Sequence, residues 1–496
     1  MKRLLTYCAI FLLSGCAPVQ PQGCLEGLPE MFPDYSGVTV PCNIAPLDFA
    51  YTPADATACD APCILRLSAS GVTVDVRGPE FDIPLKGWRA LLAASLEGGA
   101  QEGEVSASVL VKRDGTWLAY EPFSIKISAD RIDPYVTYRL IEPGYETWNV
   151  MGIYQRCLED FTQTPVIENS ATGKNCMNCH SFPARDASRM VFHMRGANGG
   201  TYITDGPAVE KLNTKTPQTI SAVVYPQWSA DGRYIAFSVN DIWQVFHSTN
   251  PNRAEIYDTV SDVVVYDVAG HSLSSCPQLQ QPDRLETFPT FSPDGRTLYF
   301  CSSPRCNVPE DYRDIRYSIC SISFDPESGE FGAQVDTLYN ARVSGKCATF
   351  PRVSPDGRTL MFTQASYGCF SIWHKDADLY VIDLQSGEVR ELEGANSPDV
   401  ESYHSWSSNG RWTVFSSRRL DGLYTRLFIC HIDSFGRASK PFLLPQRKST
   451  FYQDLFKSYN IPELSTGRVT ASPRELARCA LESPGTDLTF KQQTTL

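Results

Sequence analysis

Between residues 63 and 130 the chain changes from apolar to polar and back at almost every step. The runs are CILRLSASGVTVDVRG from Cys63, EVSASVLVKRDGTWLAY from Glu104 and FSIKISAD from Phe123. A period of two puts successive side chains on opposite faces and predicts half-buried strands. Lys112-Arg113-Asp114-Gly115, between two such runs, is a hairpin signal. Residues 24–130 therefore predict a small β-sandwich. Nothing in it points to catalysis, and it reads as a spacer or docking module.

Further on, the pattern repeats at long range. YPQWSADGRYIAFS starts at Tyr225, FPTFSPDGRTLYFC at Phe288, FPRVSPDGRTLMFT at Phe350 and YHSWSSNGRWTVFS at Tyr403. The starts lie 63, 62 and 53 residues apart. Each copy predicts a strand, a tight turn at Gly232, Gly295, Gly357 or Gly410, and a second strand. Another β run follows each, as in SDVVVYDV and ADLYVIDL. Repeated four-stranded units predict a β-propeller. CHSFPARDASRMVFHMRG, from Cys179, aligns with the copy at Tyr403, so that His180-Ser181-Phe182 falls on His404-Ser405-Trp406. That predicts a fifth, degenerate blade. VTYRLIEPGYETWNVMGIYQR and TPVIEN, just before it, predict a sixth.

The Ser-Pro-Asp-Gly-Arg cores at 292–296 and 354–358 resemble the WD40-like repeats of TolB-type propellers, over roughly residues 180–445. That family implies six blades and a surface that docks partner proteins; five or seven blades stay open. The N-terminal strands resemble the immunoglobulin-like sandwich. The expected fold is all-β, a sandwich followed by a propeller with a haem-binding segment at its first blades. Residues 131–189 are a possible blade and haem-attachment segment, 190–450 the propeller, and 451–496 a C-terminal extension. That extension should be helical or irregular and pack outside the ring, with a helix start at Ser472-Pro473.

The first residues change the setting. Lys2 and Arg3, an apolar run and Leu13-Ser14-Gly15-Cys16 read as an export signal. The tetrad resembles the lipobox of bacterial lipoproteins, which implies cleavage after residue 15 and acylation of Cys16. Residues 16–23 would be a tether. Ala17 tilts the anchor toward the outer membrane. The chain carries 44 Lys+Arg against 56 Asp+Glu, a net charge of -12. That argues against nucleic acid as a partner. Seventeen cysteines suit an oxidising compartment. Spacing suggests the pairs Cys24–Cys42, Cys301–Cys306 and Cys347–Cys369.

The chemistry centres on Cys176-Met177-Asn178-Cys179-His180. Cys-x-x-Cys-His has the geometry of c-type haem attachment: two thiols for the two vinyl groups, and an imidazole for the iron. The expected cofactor is one covalent haem c. A zinc site, a redox dithiol and a structural disulfide stay open. For the sixth ligand His193 is preferred, with Met194 and His404 as alternatives; Arg195 could pair with a propionate. An open iron is a further option. His247, His271, His374 and His431 read as ordinary residues. Glu401, Arg418, Arg419 and Arg426 read as solvated blade surface. Three functions follow. The first is a lipid-anchored cytochrome that passes single electrons to a redox partner. The second is a scaffold that docks a partner protein, with structural or sensory haem. The third is a peroxidase-like haem enzyme with an open iron.

Overall fold

The computed structural model describes residues 18–53, 61–142 and 149–493. The signal segment and Cys16 lie outside the described residues. The fold is all-β. The N-terminal unit holds a seven-stranded sheet and a three-stranded sheet. Its longest strand, Glu102–Arg113, pairs with Cys63–Ala69 on one side and with Thr116–Ala119 and Phe123–Ser128 on the other. The alternation runs predicted these strands. They did not predict the helix Leu85–Ser95, which buries Trp88, Leu91 and Leu92 against the larger sheet. The Trp88 indole donates to the Ile44 carbonyl at 3.0 Å.

Six sheets then form the propeller, four of four strands and two of five. The inner strands of blades two to six are Cys176–Ser181, Val223–Trp228, Arg284–Phe291, Cys347–Val353 and Glu401–Trp406. Blade one is different. Its three outer strands, Tyr135–Ile141, Gly152–Cys157 and Gln163–Glu168, come from the front of the ring, and its inner strand, Ser458–Ser465, comes from the tail. The tail was expected outside the ring; this part of it closes the ring instead. Beyond it, the helix Pro473–Glu482 starts with Ser472 and Glu475 capping each other's backbone. Thr486–Asp487 and Thr489–Gln492 add fifth, outermost strands to blades two and three.

The repeated turn has a clear cause. The Ser292 hydroxyl donates to Asp294 at 2.5 Å and accepts from the Thr297 N–H at 2.9 Å, while Asp294 accepts from the Arg296 N–H. Ser229 with Asp231, Ser354 with Asp356 and Ser407 with Asn409 repeat the arrangement. Asn serves in place of Asp because the turn needs only an acceptor oxygen. The sandwich docks on blade six: Asp130 accepts from His431 at 2.8 Å and Arg411 at 3.1 Å, and Asp133 accepts from the Ser408 N–H and hydroxyl.

The three disulfides suggested by spacing are not formed, and all fourteen cysteines among the described residues are free thiols. Cys347 donates instead to the Gly368 carbonyl at 3.1 Å and Cys369 to the Ile256 carbonyl at 3.1 Å. No helix among the described residues is long and apolar enough to cross a membrane.

Candidate functional site

Every inner strand breaks register with its neighbour near its middle, leaving two residues unpaired. The first of the two has a left-handed backbone in all six blades: Cys179 (φ 55°), Tyr225 (52°), Phe288 (51°), Phe350 (53°), Tyr403 (49°) and Ile461 (44°). Such a bulge aims a side chain out of the ladder, here into the central channel. The second position is Pro226, Pro289, Pro351 and Pro462 in four blades, where no backbone donor is needed. His180 and His404 hold that position in blades two and six. The Cys-His of the CxxCH motif is thus the aromatic-proline pair of the other blades.

The channel is filled at this level. Ring centroids lie 4.6 Å apart for Tyr225–Phe288, 4.2 Å for Phe288–Phe350 and 4.5 Å for Phe350–Tyr403. The space left among them, lined also by Cys179, His180 and His404, is about 20 Å³. That is room for about one water. Burial raises the Cys179 thiol pKa. It pulls His180 down to about 4, so the ring is neutral. The His180 Nε2 is buried without a partner, as an iron ligand would be. The rest of the motif does not fit a porphyrin. Cys179 stands within the plug while Cys176 lies at the strand end opposite exposed Arg195. A macrocycle joined to both thiols needs far more space than the plug leaves.

The other residues proposed for the haem are spread out. His193 is opposite Asn178, buried, near Thr201 Oγ1 at 3.3 Å and lowered to about 3 by burial. It does not line the space that His180 faces. Met194 lies in the blade core with Met177 and Phe192, its sulfur accepting from Asn175. His404 does line the same space as His180; its Nε2 lies 3.1 Å from the Met361 carbonyl, and burial lowers it to about 3.

One face of the ring is crossed by an extension of blade three, the hairpin of Tyr234–Phe246 and Ala254–Asp267. It reaches blade five, where buried Glu255 accepts from His374 Nε2 at 2.9 Å and from the Tyr367 hydroxyl at 2.7 Å. His374, expected to be ordinary, is fully buried in this pairing. Next to it Asp258 accepts from Tyr317 and Asn240 at 2.7 Å, and burial raises its carboxyl to about 6.

The charged group at Glu401 also departs from expectation, since most of it is buried. Glu401 accepts from Arg419 at 2.8 Å. The Arg418 guanidinium stacks 3.2 Å over the Trp373 ring and is lowered to about 9 by burial. Arg426 donates to the Lys457 and Leu455 carbonyls, tying blade six to the segment that closes the ring. Nothing in the local sequence marks these arginines, because their partners are far away in the chain.

The opposite face of the ring is open. A cavity of about 320 Å³ lies at the turn end of the channel, walled by Trp228, Trp406, Phe182 and Phe291 and by Arg185, Arg352 and Glu463.

No protein-family model and no curated protein matches the chain. Among solved structures it is similar to TolB from Acinetobacter baumannii, at 13% identity and a TM-score of 0.38, covering 73% of this chain and 86% of that one. It is also similar to the β-propeller domain of the Trilobed protease from Pyrococcus furiosus, at 10% identity and 0.35, covering 69% and 91%. An oligogalacturonate lyase in complex with manganese matches at 13% and 0.35, covering 62% and 73%. The propeller assignment itself stands on the six sheets.

Proposed function

We propose that this chain is an envelope platform, tethered through lipid on Cys16, that binds a partner on the open face of its propeller. The observation that carries the reading is the asymmetry of the ring. One face is crossed by the blade-three hairpin, the centre is plugged by aromatic rings, and the channel mouth on the turn face holds a cavity of about 320 Å³. The sandwich, docked on blade six, would set the height of the ring above the membrane. The net charge of -12 of the whole chain favours a partner with basic contacts.

A second reading is a single covalent haem on Cys176 and Cys179, with His180 on its iron, serving one-electron transfer or a peroxidase-like site. The motif and the unpartnered Nε2 of His180 favour it. The filled channel opposes it, because strand Cys176–Ser181 would have to leave the ring.

One preparation tests both. The mature protein is purified from its own cell envelope after cross-linking, as wild type and as Trp406→Glu, and the 173–196 peptide is weighed. The platform reading expects one cross-linked protein that the Trp406→Glu variant loses, and an unmodified peptide. A peptide carrying the mass of haem, with cross-linking equal in both proteins, overturns it in favour of the cytochrome.

A further inference from the structure

We propose that the open mouth of the channel, between Arg185 and Arg352, binds the carboxylate of a small hydroxylated organic anion. The cavity of about 320 Å³ is of ligand size. Its two cations are unusual in their pairing. Arg185 donates through Nε to the Trp406 carbonyl at 3.0 Å, and Arg352 through Nη1 to the Pro351 carbonyl at 2.9 Å. Arg352 Nε is buried with no partner. Neither guanidinium has a carboxylate in an ion pair among the described residues. A partly desolvated guanidinium with no carboxylate in hydrogen-bond contact has donors to spare, and a planar carboxylate matches its fork of donors.

The position of Arg185 supports a built site. It follows Ala184, and both hold left-handed backbone, at φ 66° and 43°. Two consecutive non-glycine residues in that region are strained, and the strain sits beside the cavity that Arg185 lines. Ser181 from blade two and Thr290 from blade four add hydroxyls to the same wall, suited to a polyol body.

Glu463, on the strand that closes the ring, sets the preferred charge. Burial raises its pKa to about 7, against the lowering effect of Arg352 and Arg185. The other groups near these charges are Asp133, which acts on Arg185, and His404 beside Arg352, neutral near pH 7. Above pH 7, the cavity wall itself carries two guanidiniums and the Glu463 carboxylate, with Asp133 acting on Arg185 from beside it, so a monocarboxylate is accommodated better than a dianion. A phosphate dianion would be repelled by ionised Glu463. Below pH 7, protonated Glu463 no longer competes and anions bind more tightly.

The test is titration calorimetry of the full mature chain with gluconate and with inorganic phosphate, on both sides of pH 7. Gluconate is expected to bind at both, more tightly on the acid side, and phosphate only on the acid side. Arg352→Gln should weaken gluconate by about tenfold or more, the effect of removing a charge-assisted contact. Glu463→Gln should strengthen binding above pH 7 and remove the pH dependence, a gain that no folding defect would give. Absence of gluconate heat at millimolar concentration, unchanged affinity in Arg352→Gln, or preference for phosphate at both pH values would each overturn the proposal.

Discussion

Replacing Phe350 tests the device that unites the six blades. Its ring is 3% exposed and touches Phe288 at 4.2 Å and Tyr403 at 4.5 Å between centroids. Phe350→Ala removes that burial and should cost about 3–5 kcal/mol. Each lost aromatic pair accounts for about 0.5–1.5 kcal/mol beyond area. Phe350→Gly removes the same ring, so the two variants differ mainly in backbone. Glycine in an ordinary strand is about 0.5–1 kcal/mol worse than alanine. Here φ is 53°, where a residue with a Cβ pays about 1–2 kcal/mol. The second effect wins, so Phe350→Gly should be more stable than Phe350→Ala by about 0.5–1 kcal/mol. Urea unfolding followed by tryptophan fluorescence reads the difference. The same inversion is expected at Cys179, which has the same backbone at φ 55°. If alanine is the more stable at both positions, the left-handed bulge is not what these residues share, and the equation of Cys179-His180 with the aromatic-proline pairs fails.

Two further expectations concern stability. Ser354→Ala leaves the Thr359 N–H without the hydroxyl that accepts from it at 3.0 Å, and should cost about 1–2 kcal/mol in a urea titration; a change near zero would mean that the repeated serine does not hold the turn. Glu286 is fully buried, and burial, with a smaller effect from Asp262, raises it from 4.5 to about 8. A raised acid binds its proton more tightly in the folded state, so its contribution is present below 4.5 and lost as pH rises toward 8. The wild-type melting temperature should therefore fall across that range more than that of Glu286→Gln, and parallel curves would show that Glu286 does not titrate this way.

Some features were legible because they are local. Alternation marked the strands of the sandwich, and the Ser-x-Asp-Gly-Arg turns marked the blades, since the serine, the acceptor and the glycine all act within six residues. The alignment of His180-Ser181-Phe182 with His404-Ser405-Trp406 was readable in the same way, and the two histidines do occupy equivalent bulges. What the motif Cys176-x-x-Cys179-His180 left open was its setting. The same five letters suit a haem on an exposed loop or a strand in a plugged channel, and their place in the ring cannot be read from those letters alone.

The sequence by itself determined an all-β chain of repeated four-stranded units with a sandwich before them, because period and turn chemistry act between near neighbours. Tertiary structure decided the rest. It drew Ser458–Ser465 from the tail to complete blade one, buried Arg418 and Arg426 against distant partners, carried Glu255 across to His374, and brought Arg185, Arg352 and Glu463 to one cavity. These pairings join residues tens to hundreds of positions apart. Their free energy comes from shared desolvation and ring closure, which leave no periodic trace in the chain.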